Sequence, residues 1–239
     1  MSMTLATCFS KPSWYSRRSR QRGLSLVELM VGVTIGLFVV AGASLLATNQ
    51  MSDNRRLLLE TQIQQDLRAT ADIIVRDLRR AGYWAGSESG VWRAGAALVE
   101  NPYAATSPES AASAVTSVTY NYSLDGDVDN GAVDSKEQLG VRLNGSTIEM
   151  RLGDAGWQAL TDVTTLKITR FEIVLNARSI DLPCMKACVP GALDCPRRQD
   201  VRDVAVIIVG QAVHDENVVR SVRSDVRLRN DRIYGACPA

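Results

Sequence analysis

Between residues 22 and 53 the chain carries a single charged residue, Glu28. The apolar run 24–47 is about 24 residues long, and roughly 20 in a helix cross the hydrocarbon of a bilayer. A run of this length and composition cannot be hidden by one small core, so it constrains the fold more than any other feature. A carboxylate inside it is costly and is read first as functional. Lys11, Arg17, Arg18, Arg20 and Arg22 precede the run, with no acid among residues 1–23. Positive charge stays on the cytoplasmic side, so the bulk of the chain is expected outside the cytoplasm. Removing those five charges from the net of +1 leaves −4 for the remainder. That balance offers no basic face for nucleic acid.

Three readings of this N-terminus compete. A secretory signal peptide has an apolar core of roughly 7–15 residues and a small-residue cleavage site after it; this run is longer and Glu28 interrupts its start. A twin-arginine signal is suggested by Arg17-Arg18, but Ser19, Arg20 and Gln21 follow where apolar residues belong. The third reading is a membrane anchor with a processing site at its beginning.

The stretch RGLSLVELMVGVTIG resembles the class III signal of type IV pilins and type II secretion pseudopilins, with Gly23, Leu24 and Glu28 matching its positions. The resemblance implies that prepilin peptidase cuts between Gly23 and Leu24 and methylates the new amine. Glu28 would then pair with such an amine, in its own or a neighbouring subunit, and set subunit registry. The pair would be strong where water is excluded. The plainer alternative is that Glu28 snorkels to the headgroups. Gly32 and Gly36 form a G-x-x-x-G pair, which suits close helix packing but is also common in any span.

Helical signs continue beyond the span. Residues 51–81 contain neither Pro nor Gly, and Leu59, Ile63, Leu67, Ile74, Leu78 and Ala81 fall on one face. One helix over about 24–82 is predicted, its second half packing on a head outside the membrane; a coiled coil is the alternative for that half. Gly82 reads as the residue just past the helix end, with Arg79 and Arg80 in the last turn. Asp77, Arg79, Gly82, Tyr83 and Trp84 resemble the R-x-x-G-Y-W block of the PilW family of minor pilins. Read without that resemblance, the block is a helix stop followed by aromatics that seal a sheet.

Residues 86–114 read as a loop-rich connection. Strands are expected at 115–122, in a hairpin over 140–152 turned by Asn144-Gly145, and at 164–175, 201–213 and 218–229. The unbroken apolar run 204–209 predicts a central strand covered on both faces. The pattern predicts the fold class α+β, and the resemblance implies that it is the type IV pilin fold. It comprises a leader at 1–23, a membrane half of the helix at 24–47, an outer half at 48–84, and a head at 85–239 built from five to seven mostly antiparallel strands.

Two clusters carry candidate chemistry. Asp125, Asp127, Asp129, Asp134 and Glu137 surround Asn130 and Gly131, an arrangement that could hold Ca²⁺ through hard oxygen ligands. The fit to an EF-hand loop is imperfect, because Gly falls at position 7 and Lys136 at position 12. A solvated acidic turn is the alternative. Cys184, Cys188, Cys195 and Cys237 have no C-x2-C knuckle, and the chain has one histidine, His214. Disulfides in an oxidising compartment suit them better than zinc, with three connectivities open. No catalytic triad, phosphate loop or H-E-x-x-H motif is found.

The reading is a non-enzymatic minor pilin of the PilW group, active in pilus assembly and through it in adhesion, twitching motility or DNA uptake. Its partners would be prepilin peptidase, other minor pilins, the major pilin and inner-membrane lipid. The head would lie in the periplasm and later in the filament. A minor pseudopilin of type II secretion, of the J type, is the close alternative, and a membrane-anchored periplasmic enzyme a more distant one.

Overall fold

A computed structural model describes residues 23–90, 99–110, 113–124 and 129–238. One helix, α1, runs Leu26–Leu78 without a break. It is shorter than predicted at both ends. Leu24 and Ser25 lie outside it, and residues 79–82 form a turn that ends at Gly82 with φ +75. The chain divides into two compact units between Ser52 and Asp53.

In the first unit every described side chain is exposed. The hydroxyls of Thr34, Ser44 and Thr48 donate to the carbonyls of Val31, Val40 and Leu45 at 2.8–2.9 Å. These three hydroxyls are thus returned to their own helix, as suits a hydrocarbon environment. This segment contains the one helical stretch among the described residues that is long and apolar enough to cross a membrane.

In the second unit α1 presents the predicted stripe. Ile63, Leu67, Thr70, Ala71, Ile74 and Leu78 are buried, and Leu59 packs against the same cluster. The stripe meets two antiparallel sheets, where a single group of five to seven strands was expected. The first sheet orders β1 (Thr106–Ser107), β2 (Ser117–Asn121), β3 (Gln138–Asn144), β4 (Thr147–Leu152) and β5 (Trp157–Ala159) in sequence. The second joins β6 (Leu166–Asp181), β7 (Arg198–Ala212) and β8 (Val219–Arg227), with β9 (Arg232–Tyr234) also on β7. A bridge from Val115 to Ile173 and a bond from the Ile168 N–H to the Ser146 carbonyl (2.9 Å) link the sheets. The Asn144-Gly145 turn closes β3 onto β4 as predicted, with Asn144 opposite Thr147.

β7 is central, but it is covered fully on one face only. Val204, Val206 and Ile208 are buried, while Ile207 and Val209 on the other face are half-buried beside Arg223 and Ser221 of β8. An apolar run need not mean two covered faces when long charged neighbours lay their stems over the second. On the helix side, Gly210 leaves room for Leu67 and Leu166, since a Cβ there would lie 3.1 and 2.6 Å from their methyl groups. Glu60 of α1 accepts from Arg56 at 3.1 Å and also from Arg220 of β8, which ties the stripe's upper end to the sheet edge.

β6 and β7 continue past the core as a long arm, pairing through Asp181 and Arg198. The loop at its end holds both disulfides, Cys184–Cys237 and Cys188–Cys195. The first spans 53 residues and, in the chain-entropy account, contributes about 4 kcal/mol. Leu67 is fully buried, so Leu67→Ala should cost about 2–5 kcal/mol. Leu58→Ala, at an exposed position, should stay within about 0.5 kcal/mol. Denaturant unfolding of the full chain in detergent, followed by tryptophan fluorescence, reads both.

Candidate functional site

The N-terminal site is assembled from three neighbouring positions. Gly23 and Leu24 are exposed and lie before the helix, and Glu28 sits in its first turn. A carboxylate in the first turn faces the positive end of the helix dipole. Among the described residues Glu28 has no ion-pair partner. In the uncut chain Leu24 has no free amine to offer it. Nothing in the chain lies within 4 Å of where a Cβ on Gly32 or Gly36 would stand, so no contact within the chain demands their small size.

The helix end gathers a cluster of polar bonds from several segments of the head. Asp77 accepts from the hydroxyls of Tyr120 and Tyr122, the latter at 2.9 Å. The two tyrosines alternate along β2 and its continuation and so share one face. The Arg80 guanidinium lies 4.3 Å from the centre of the Tyr122 ring. Gly82, in the left-handed conformation that favours glycine, donates its N–H to the Asn121 carbonyl at 2.8 Å. The last carbonyls are capped by side chains from distant segments. Asn230 donates to Ala81 at 3.0 Å and Asn101 to Gly82 at 2.8 Å. Arg202 of β7 is buried and donates to the Ala104 and Asn230 carbonyls at 2.6 and 2.9 Å. Burial pulls its guanidinium below the ordinary arginine value. The G-Y-W block is therefore a packing junction, with Trp84 buried and Tyr83 exposed.

The acidic loop is placed in part. Asp125 and Asp127 lie outside the described residues. Glu137 is fully buried and accepts from the Leu124 N–H, the Asp134 N–H and the Tyr103 hydroxyl at 2.9, 2.9 and 3.0 Å. Asp129 accepts from the Gly131 N–H at 2.7 Å and from the same tyrosine at 3.1 Å. Burial alone would raise the Asp129 carboxyl, but these hydrogen bonds outweigh it and hold the group below the usual carboxylate range. Asp134 accepts from Asn130 at 3.1 Å. Tyr103 thus gathers Asp129 and Glu137 to itself, which commits Glu137 to the interior. The three sulfurs of Cys184, Cys188 and Cys195 lie within 4.8 Å of one another, but each belongs to a disulfide. His214 is exposed in the turn between β7 and β8.

Sequence reasoning missed Tyr103, Tyr120, Tyr122, Asn101, Arg202 and Asn230. For the tyrosine pair a signal was present. T-Y-N-Y places two hydroxyls on one strand face, and Asp77 interrupts a helix flank otherwise able to pack.

Two family models match the chain. One, described as Prepilin peptidase-dependent protein B, covers residues 56–228. The other, described as the prokaryotic N-terminal methylation motif, covers residues 18–44 and so includes Gly23, Leu24 and Glu28. No curated protein and no solved structure matches the chain.

Burial, then the Asp77 charge and hydrogen bond, raise both tyrosine hydroxyls above the ordinary value. A group with a raised folded-state pKa contributes stability that is complete below its unfolded value and is lost as pH rises past it. Stability should therefore hold up to about pH 10 and decline above it. Tyr120→Phe with Tyr122→Phe should shallow that decline, leaving the part due to Tyr103, which burial also raises. Removing both donors should cost about 1–3 kcal/mol at neutral pH by leaving Asp77 unpartnered. Denaturant midpoints between pH 7 and 11 measure both effects.

Proposed function

The chain belongs to the family of prepilin peptidase-dependent protein B, and from that premise we propose that it is a minor type IV pilin of the PilW kind, acting in the initiation and assembly of the pilus. Prepilin peptidase cuts between Gly23 and Leu24 and methylates the Leu24 amine. The apolar helix holds the subunit in the inner membrane with its head in the periplasm until it joins the filament. Other minor pilins and the major pilin are its partners. The role is structural: helices bundle, Glu28 sets registry and the heads touch.

The observation that carries this reading is the coincidence at one helix start. A basic leader, Gly23, Leu24, Glu28 and an unbroken apolar helix occur in the required order. The charge logic supports it as well. Among the described residues Glu28 has no ion-pair partner, and cleavage would create a cation four residues before it. In an apolar bundle such a pair gains most when each carboxylate meets one amine.

The J-type pseudopilin of type II secretion rests on the same cut, the same anchor and the same registry. The block Gly82-Tyr83-Trp84, which resembles the PilW signature as well as serving packing, is the feature that favours the pilus. The neighbouring genes are the discriminating observation.

Replacing Gly23 with a bulky residue should leave a full-length precursor in the membrane, and normal maturation would refute the cut site. Glu28→Ala should be cut normally yet recovered in sheared filaments or assembled complexes at about one tenth of the wild-type level or less. That loss corresponds to about 1.4 kcal/mol or more for the lost pair. Undiminished assembly would remove the registry role.

A further inference from the structure

Beyond its last helical turn the head carries an arginine-lined cleft of about 530 Å³, walled by Arg79, Asp225, Val226, Arg227 and Arg229. Its charges are unbalanced. Asp225 is engaged by Arg223 at 3.0 Å, and Arg227 pairs with Asp231 at 3.0 Å. Asp231 also accepts from Gln199 at 2.7 Å. Among the described residues Arg79 and Arg229 have no ion-pair partner. One of them has a local reason to be where it is, since a cation near a helix C-terminus is favourable. Arg229 lies two residues past the end of β8, and its backbone is fixed on both sides. Leu228 is fully buried and bonds the Arg202 carbonyl at 3.0 Å, while Asn230 caps the helix end. Two cations are thus held near a third, and the carboxylates beside them, Asp225 and Asp231, each already hold an arginine. Such an arrangement is preorganised for an anionic partner.

We propose that the cleft formed by Arg79, Arg227 and Arg229 receives an aspartate- or glutamate-bearing loop of a neighbouring pilin-like subunit. This rests on the reading of the chain as an assembling subunit. Guanidinium forks bind carboxylates and phosphates alike in planar, bidentate fashion, and a protein neighbour presents carboxylates. A nucleic-acid polyanion needs an extended basic surface, and outside its first 23 residues the chain is net acidic. Lipid phosphate is disfavoured by position. Within the second unit alone, the helix from Asp53 to Leu78 runs roughly 39 Å at the helical rise before the cleft begins.

The test uses the full chain in its native host. Arg229→Lys keeps the charge and supplies an amine that a zero-length carbodiimide can join to a touching carboxylate. The expected result is a cross-linked peptide containing an Asp or Glu of another pilin-like subunit, a second copy of this chain included. Arg79→Glu with Arg229→Glu, both at exposed positions, should lower co-purification with other pilin-like subunits about tenfold or more. The variant should still accumulate and be cut. Cross-links that form only within one molecule, with no product larger than the monomer, or only to lipid headgroups would overturn the proposal, as would wild-type co-purification of the double variant. If the double variant assembles normally while Glu28→Ala does not, only the cleft assignment fails. If neither substitution affects assembly, the subunit reading fails with it.

Discussion

The structure depends on one helix that must satisfy two solvents. Over its first half α1 exposes apolar side chains all round, and its polar hydroxyls turn back onto helix carbonyls. Over its second half only a stripe is apolar, and that stripe is the centre of the head's core. Hydrocarbon or other apolar helices must cover the first half, because leaving many large apolar side chains in water costs about 1.5–3 kcal/mol for each. The second half needs sheets. Gly210 exists to let Leu67 reach β7, and Glu60 exists in a position where Arg220 can find it.

The packed end of the helix is locked by polar contacts. The lock lies at residues 77–84. Asp77 binds two tyrosines of the first sheet, Gly82 binds the end of β2, and Asn230 caps the helix from beyond the second sheet. Both sheets are therefore pinned to the same turn of helix. Each bond there is worth about 1 kcal/mol by itself, and their sharing of one turn makes them act together. The arm of β6 and β7 lies beyond this lock. It has little apolar core of its own, and two disulfides hold its loop instead.

Features set by local sequence were legible. The stripe at 59–81 is a periodicity, the β3–β4 turn is a dipeptide, and the N-terminal motif is a spacing. Features set by distant contacts were not. Alternation predicts strands at 115–122 and 164–175 but does not say that they belong to different sheets. The run 204–209 reveals a central strand, yet its second face is half covered by Arg223 from a strand whose register no local pattern fixes. Glu137 reads as a possible cation ligand because its neighbours are acids. Its burial depends on Tyr103, which lies 34 residues away. Four cysteines allow three pairings, and the choice was made by β9 and the C-terminal segment returning to the arm.

The central proposal is that a cut at Gly23 gives the lone carboxylate of the apolar run an amine to pair with. The mass and fragmentation of the mature N-terminal peptide, recovered from membranes, test this most directly. The account predicts a chain beginning at Leu24 with a methylated α-amine. A chain that retains its leader, or one cut at another bond, would contradict it.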